Sequence, residues 1–167
     1  MRASIILAGA LLSAACSASE DQAKPVTSDA QAIAEVERLG TPPVLPVQPQ
    51  PITFSDLEKY GLFGAGCYFL DGNGAKASML FIASDEKGWM ILESKLVELS
   101  ADRSSAEMPY LSWSRYVGLA QTVVLQRDQA KARSTGPETE SAPGEITIRD
   151  ENDRVVFTRK GLIDCGA

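Results

Sequence analysis

From Ile52 onward the apolar residues of this chain come in short runs, each closed by a cluster of glycine, aspartate, asparagine, serine or proline. A helix that buries one face needs apolar residues every three or four positions over ten or more residues, whereas a strand needs only a short run. Cys67-Tyr68-Phe69-Leu70 ends at Asp71-Gly72-Asn73-Gly74, and Met79 to Ile82, within the run 78–83, ends at the polar turn 84–88. Trp89 to Leu92 and Lys95 to Leu99 follow, with Glu93 and Ser94 between them. The run from Tyr116 to Arg127 is the longest strand candidate, with Leu119, Val123 and Leu125 expected on one face. Segment 130–144 carries Gly136, Pro137 and Pro143 and is expected to be a mobile loop between strands. The last hairpin sets 145–149 against 154–158 around the polar turn Asp150-Glu151-Asn152-Asp153. Six to eight short strands predict a mainly β fold, a small antiparallel barrel or sandwich with one or two short N-terminal helices.

The helices are expected before the strands. Ser28 and Gln31 have capping-box spacing, Ile33, Val36 and Leu39 recur at helical spacing, and Gly40 with Pro42 and Pro43 ends the pattern. Ser55 and Glu58 have the same box spacing, which places a turn or two of helix over 56–60, ended by Gly61. Between the two lies PPVLPVQPQP, Pro42 to Pro51, whose five prolines favour polyproline II and a spacer of about 30 Å. Residues 17–27 are small, polar and acidic, a composition that orders poorly. The expected organisation is therefore 1–15 as a signal peptide, 16–51 as leader, helix and tether, and 52–167 as a single β-rich domain.

The N-terminal reading rests on residue order. Met1 and Arg2 precede the uncharged Ala3 to Leu12, and the small residues Ser13, Ala14 and Ala15 stand before Cys16, the arrangement of a secretory signal. The apolar run is about ten residues, half of what a helix needs to cross a hydrocarbon core. Leu11-Leu12-Ser13-Ala14-Ala15-Cys16 resembles the lipobox of bacterial lipoproteins, with Ser13 where that family usually has leucine. The resemblance implies cleavage before Cys16, a lipid on its sulfur and a place on the periplasmic side of the cell envelope. Ser13 with Ala15, or Cys16 with Ala18, also suits an ordinary signal peptidase, which would release a soluble periplasmic or secreted chain. Of the three cysteines, lipidation accounts for one and leaves Cys67 and Cys165. In an oxidising compartment these are expected to form a disulfide closing a loop worth roughly 4.7 kcal/mol of chain entropy; the alternative is a pair of reduced, buried thiols.

Composition limits the chemistry. The chain has no histidine, hence no Ser-His-Asp or Cys-His catalytic set and no histidine metal ligand. Lys and Arg total 16 against 22 for Asp and Glu, a formal charge of −6, so nucleic acid is not an expected partner. Ser84 and Lys87 have Ser-x-x-Lys spacing but fall in a turn without companion motifs. Asp150, Asn152 and Asp153 begin like a calcium loop, yet Val155 and Gly161 stand where glycine and glutamate are needed. Gly61, Gly64 and Gly66 lack dinucleotide-loop spacing. No catalytic residue, metal ligand or cofactor is therefore assigned. Tyr110, Trp113 and Tyr116, in an irregular stretch after Pro109, are expected to pack in the core or at its edge, with an exposed contact patch as the alternative. In general plan the chain resembles small envelope lipoproteins such as the membrane-bound inhibitors of c-type lysozyme, compact antiparallel barrels with a disulfide. That resemblance implies a non-enzymatic, membrane-anchored binding or structural domain whose partner is a basic envelope protein or a cell-wall component. The alternative is a histidine-independent hydrolase using paired carboxylates.

Overall fold

The computed structural model describes residues 28–40, 42–72 and 74–167. Cys16, the signal segment and Asn73 lie outside the described residues. The chain divides into two units, Met1–Pro42 and Pro43–Ala167. In the first, α1 (Asp29–Gly40) starts at a reciprocal cap: Gln31 N–H donates to Ser28 Oγ at 3.4 Å, and Ser28 N–H donates to Gln31 Oε1 at 3.3 Å. Arg38 pairs with Glu35 one turn back, at 2.7 Å.

The second unit begins with α2 (Phe54–Tyr60) and continues in eleven strands. These are β1 (Gly66–Asp71), β2 (Ser78–Ala83), β3 (Lys87–Leu92), β4 (Lys95–Ala101), β5 (Glu107–Met108), β6 (Ser112–Trp113), β7 (Arg115–Val117), β8 (Gln121–Arg127), β9 (Arg133–Gly136), β10 (Thr139–Asp150) and β11 (Val155–Gly166). Eight of them, β1-β2-β3-β4-β7-β8-β10-β11, form a closed antiparallel barrel in which each strand pairs with the next and β11 returns to β1. Closure removes the open edges that would otherwise invite other strands. The β5–β6 hairpin is an insert between β4 and β7, and β9 adds to the first residues of β10.

Burial explains the two sequence patterns. On β8 only one face is covered, and Val123 and Leu125 point inward between more exposed neighbours. On β2 and β3 both faces are covered. Phe81 and Met90 fill the barrel, while Ile82 and Ile91 pack outside it against Ile52 and Leu62, with Leu57 of α2 beside them. Hence these strands read as unbroken apolar runs. The interior is filled by Phe69, Phe81, Met90, Leu99, Tyr116, Val123, Leu125, Ile146, Ile148 and Ile163, all essentially without solvent contact. Gly88 makes room for the largest pair: a Cβ there would stand 2.4 Å from Phe81 and 2.9 Å from Tyr116, whose rings meet edge to face at 5.4 Å.

Four expectations are corrected. The cap of α2 is Thr53 with Asp56 rather than Ser55 with Glu58: Asp56 N–H donates to Thr53 Oγ1 at 3.3 Å and Thr53 N–H to Asp56 Oδ2 at 2.8 Å. Gly61 then closes the helix in the left-handed conformation, φ 65°. The run from Tyr116 to Arg127 breaks at Gly118 to Ala120 into β7 and β8, which turns Leu119 fully outward. Segment 130–144 is mostly strand, because β9 and the first half of β10 find ladder partners in each other and in β11, a pairing that small polar residues do not advertise. Finally, the proline-rich segment is no free spacer beyond Pro46. Val47 N–H donates to Val156 O at 3.2 Å and Gln50 N–H to Ile91 O at 2.9 Å, and the Gln50 side chain accepts from Ser94 N–H at 2.6 Å. That last bond supports a turn in which Glu93 and Ser94 both have positive φ, 49° and 61°.

Cys67 and Cys165 are directly opposed across the β1–β11 seam, both buried, and are joined as a disulfide over a separation of 98 residues. Replacing both by alanine is expected to lower the free energy of unfolding in urea by about 2–5 kcal/mol, while the far-UV spectrum of the folded chain stays that of the barrel.

Candidate functional site

The barrel interior is filled with side chains, so a ligand must be met at its surface or its ends. At the end marked by the disulfide, the connection from β4 to β7 folds back as the β5–β6 hairpin. Ser112, fully buried, donates from Oγ to Pro109 O at 2.8 Å and lies 3.0 Å from Cys67 Sγ. Met108 joins the core from the same hairpin. The turn between them holds Tyr110 and Leu111 at φ 56° and 60°, a left-handed conformation that costs a branched side chain energy and persists only where packing imposes it.

Of the two courses open to the three aromatic residues, packing is the one seen: they lie on the core beside this insert. Tyr116 is wholly buried; its hydroxyl donates to Ser84 O at 2.7 Å and accepts from Trp113 N–H at 2.9 Å. Trp113 Nε1–H donates to Asp85 O at 3.0 Å, and Tyr110 is half-buried against the core. The polar tips of Trp113 and Tyr116 are thus spent on the turn between β2 and β3. Leu111 is the exposed apolar residue of the insert.

Between the insert and β8 lies a cleft of about 710 Å³, walled by Ala106 to Pro109 on one side and Val124 to Arg127 on the other. A second hollow of about 310 Å³ adjoins it at Arg127 and reaches Gly144 and Lys160. Arg127 continues the inward positions Val123 and Leu125, and only 3% of its side chain is exposed. Its Nη1–H donates to Gln129 Oε1. Its Nη2 lies 3.0 Å from Glu140 Oε1, close enough to pair the charges but off the line of a hydrogen bond. Nε–H and Nη2–H, which point the same way from the guanidinium plane, are buried without a hydrogen-bonded acceptor. The sequence reading passed over Arg127. Its one signal was position: a cation at the next inward step of an alternating run.

The remaining motifs resolve as turns. Ser84 Oγ exchanges hydrogen bonds with the Lys87 backbone, and Lys87 Nζ pairs with Glu98 at 2.8 Å, so neither is arranged for acyl transfer. Asp150 accepts from the N–H groups of Asn152 and Arg154 with one oxygen and pairs with the Arg154 guanidinium at 2.7 Å with the other. Those donors occupy the oxygens a calcium ion would need. Among the described residues no group of three or more acids and cysteines is placed to hold a metal. Hydrogen bonds hold several carboxyls below their usual range: Asp56 by Thr53, Glu98 by Lys87, Asp102 by Ser104, Asp128 by Lys131 and Asp150 by Arg154. A general acid needs the opposite shift. Neither a protein-family model, a curated protein nor a solved structure matches this chain.

Three outcomes follow from these networks. Burial, opposed by the Trp113 bond and aided by Asp85, pushes the Tyr116 hydroxyl up to about 12 from its ordinary value of 10.0. The folded state therefore favours the neutral phenol, and the stability this confers is complete below about pH 10 and lost as pH rises toward 12. Tyr116→Phe is expected to lower stability by about 2 kcal/mol near neutral pH and to lose this alkaline component, as read by urea titrations at a series of pH values. Glu140→Gln leaves the buried Arg127 guanidinium uncompensated and is expected to cost about 3 kcal/mol in the same assay. Glu98→Gln, which breaks a half-exposed pair, is expected to change it by less than about 1 kcal/mol.

Proposed function

We propose that this chain is an envelope-anchored, non-enzymatic binding module, held to a bacterial membrane by a lipid on Cys16 and facing the periplasm. The observation that carries the reading is the Cys67–Cys165 disulfide. Such bonds persist in oxidising compartments, and this one uses two of the three cysteines. Cys16, at the end of the lipobox-like stretch, is the one left over. The filled barrel and the cleft beside its insert favour a domain that holds a partner over one that encloses a reaction. The excess of acidic residues suits a basic envelope protein or a cell-wall component as that partner and disfavours nucleic acid.

The test is the intact mass of the full-length product recovered from the membrane fraction of a bacterial host, before and after reduction. A chain that begins at Cys16, carries acyl mass and gains two hydrogens on reduction is the expected result. An unacylated chain in the soluble fraction, or one cut elsewhere, overturns the anchor.

A further inference from the structure

We infer that the Cys67–Cys165 bond controls the shape of the cleft. The oxidised chain holds the stretch 106–112 as a formed wall, and a chain whose bond has been opened by a dithiol keeps its barrel while that wall loosens. The inference rests on the binding-module reading in one respect, that the cleft is where the module meets its partner. It uses nothing about the lipid.

Three observations carry it. The first is how the insert is held. Among the described residues β5 and β6 pair only with each other, so no strand ladder ties them to the barrel. A two-stranded hairpin is marginal on its own. This one is seated by Met108 in the core and by Ser112, fully buried, whose Oγ lies 3.0 Å from the Cys67 sulfur; Pro109 O lies 3.6 Å from the same sulfur. The second is that seat and wall are one piece of chain. Ala106 to Pro109 form one side of the cleft, so the residues that touch the bond also bound the hollow. The third is strain in the turn. Tyr110 and Leu111, between the seating residues, are both held at positive φ, and such a turn relaxes when the packing that imposes it is withdrawn.

Opening the bond withdraws that packing. A dithiol gives up two electrons and two hydrogens and closes to its own disulfide, while Cys67 and Cys165 become separate thiols. Two thiols do not stay at bonding distance; their sulfurs part to van der Waals contact. Both cysteines are buried, so neighbours must yield to the displaced sulfurs, and Ser112 and Pro109 are the neighbours with no ladder behind them. By linkage, a partner that needs the formed wall binds the oxidised chain more tightly and in turn favours the bond.

The experiment uses the full chain carrying Cys16→Ser, labelled with nitrogen-15, so that its result is independent of lipidation. Backbone order parameters are measured in the oxidised chain and after dithiothreitol, with intact mass recording the gain of two hydrogens. The amides of Glu107, Met108 and 110–112 are expected to fall from about 0.85 to below about 0.6 on reduction. Those of β8 and β10 keep their oxidised values, as does the Trp89 indole resonance, and reoxidation restores the insert. The double variant Cys67→Ala/Cys165→Ala, which lacks the bond without any reductant, is expected to show the same loosening. Unchanged order at 107–112 in the reduced chain overturns the proposal, because the bond then staples the seam alone. Collapse of the whole spectrum in both the reduced chain and the double variant overturns it as well, because barrel and cleft are then lost together.

Discussion

Apart from the seam where residues 66–70 meet 162–166, the barrel strands pair in chain order, with only the β5–β6 insert intervening between β4 and β7 and β9 between β8 and β10. The seam bears the loop-closure entropy of nearly the whole domain, and a sheet left open there would expose two edges. The Cys67–Cys165 bond lies on the seam itself and keeps the two ends together in the unfolded chain. Much else depends on this junction. Phe69 and Ile163 face each other across it in the core, Ser112 rests on the Cys67 sulfur, and Val47 takes a hydrogen-bonding position on β11 beyond the point where β1 leaves it.

The barrel that the seam closes also decides where a hollow can form. Phe81, Met90 and Tyr116 are fully buried and fill its interior, as in other barrels of eight strands closed on their own side chains. The cleft lies beside the insert instead. The insert is held over the disulfide by Ser112 and pinned to the opposite turn by Tyr116 and Trp113, and so it has a definite shape despite its short strands. The cleft follows from that shape. Arg127 is the last inward residue of β8, where the apolar filling gives way to an ion pair with Glu140 at the wall of the cleft.

Much of the fold was legible from residue order. The turn clusters at 71–74, 84–88 and 150–153 separate real strands, Ser28 with Gln31 caps a real helix, and Cys67 and Cys165 are bonded as cysteine parity suggested. The differences have two causes. Thr53 with Asp56 and Ser55 with Glu58 have the same local spacing, and the first pair makes the cap; 133–144 is strand because its backbone finds ladder partners far along the chain, in β11 above all. For Tyr110, Trp113 and Tyr116 the residue order leaves packing and contact both open, since an aromatic residue in an irregular segment serves equally well as either; burial of Tyr116 and the packing of the other two on the core take the first course.

Residue order and composition set the class of fold and its chemistry in outline: short strands, a stapling pair of cysteines and no histidine. These follow from periodicity and composition, which act locally. Packing in three dimensions is what closes the sheet, lays the proline-rich segment on it from Val47 onward, and buries Arg127 against Glu140 at the wall of a cleft. Closure and burial are set by contacts between residues far apart in the chain, and a buried arginine and an exposed one are written with the same letter.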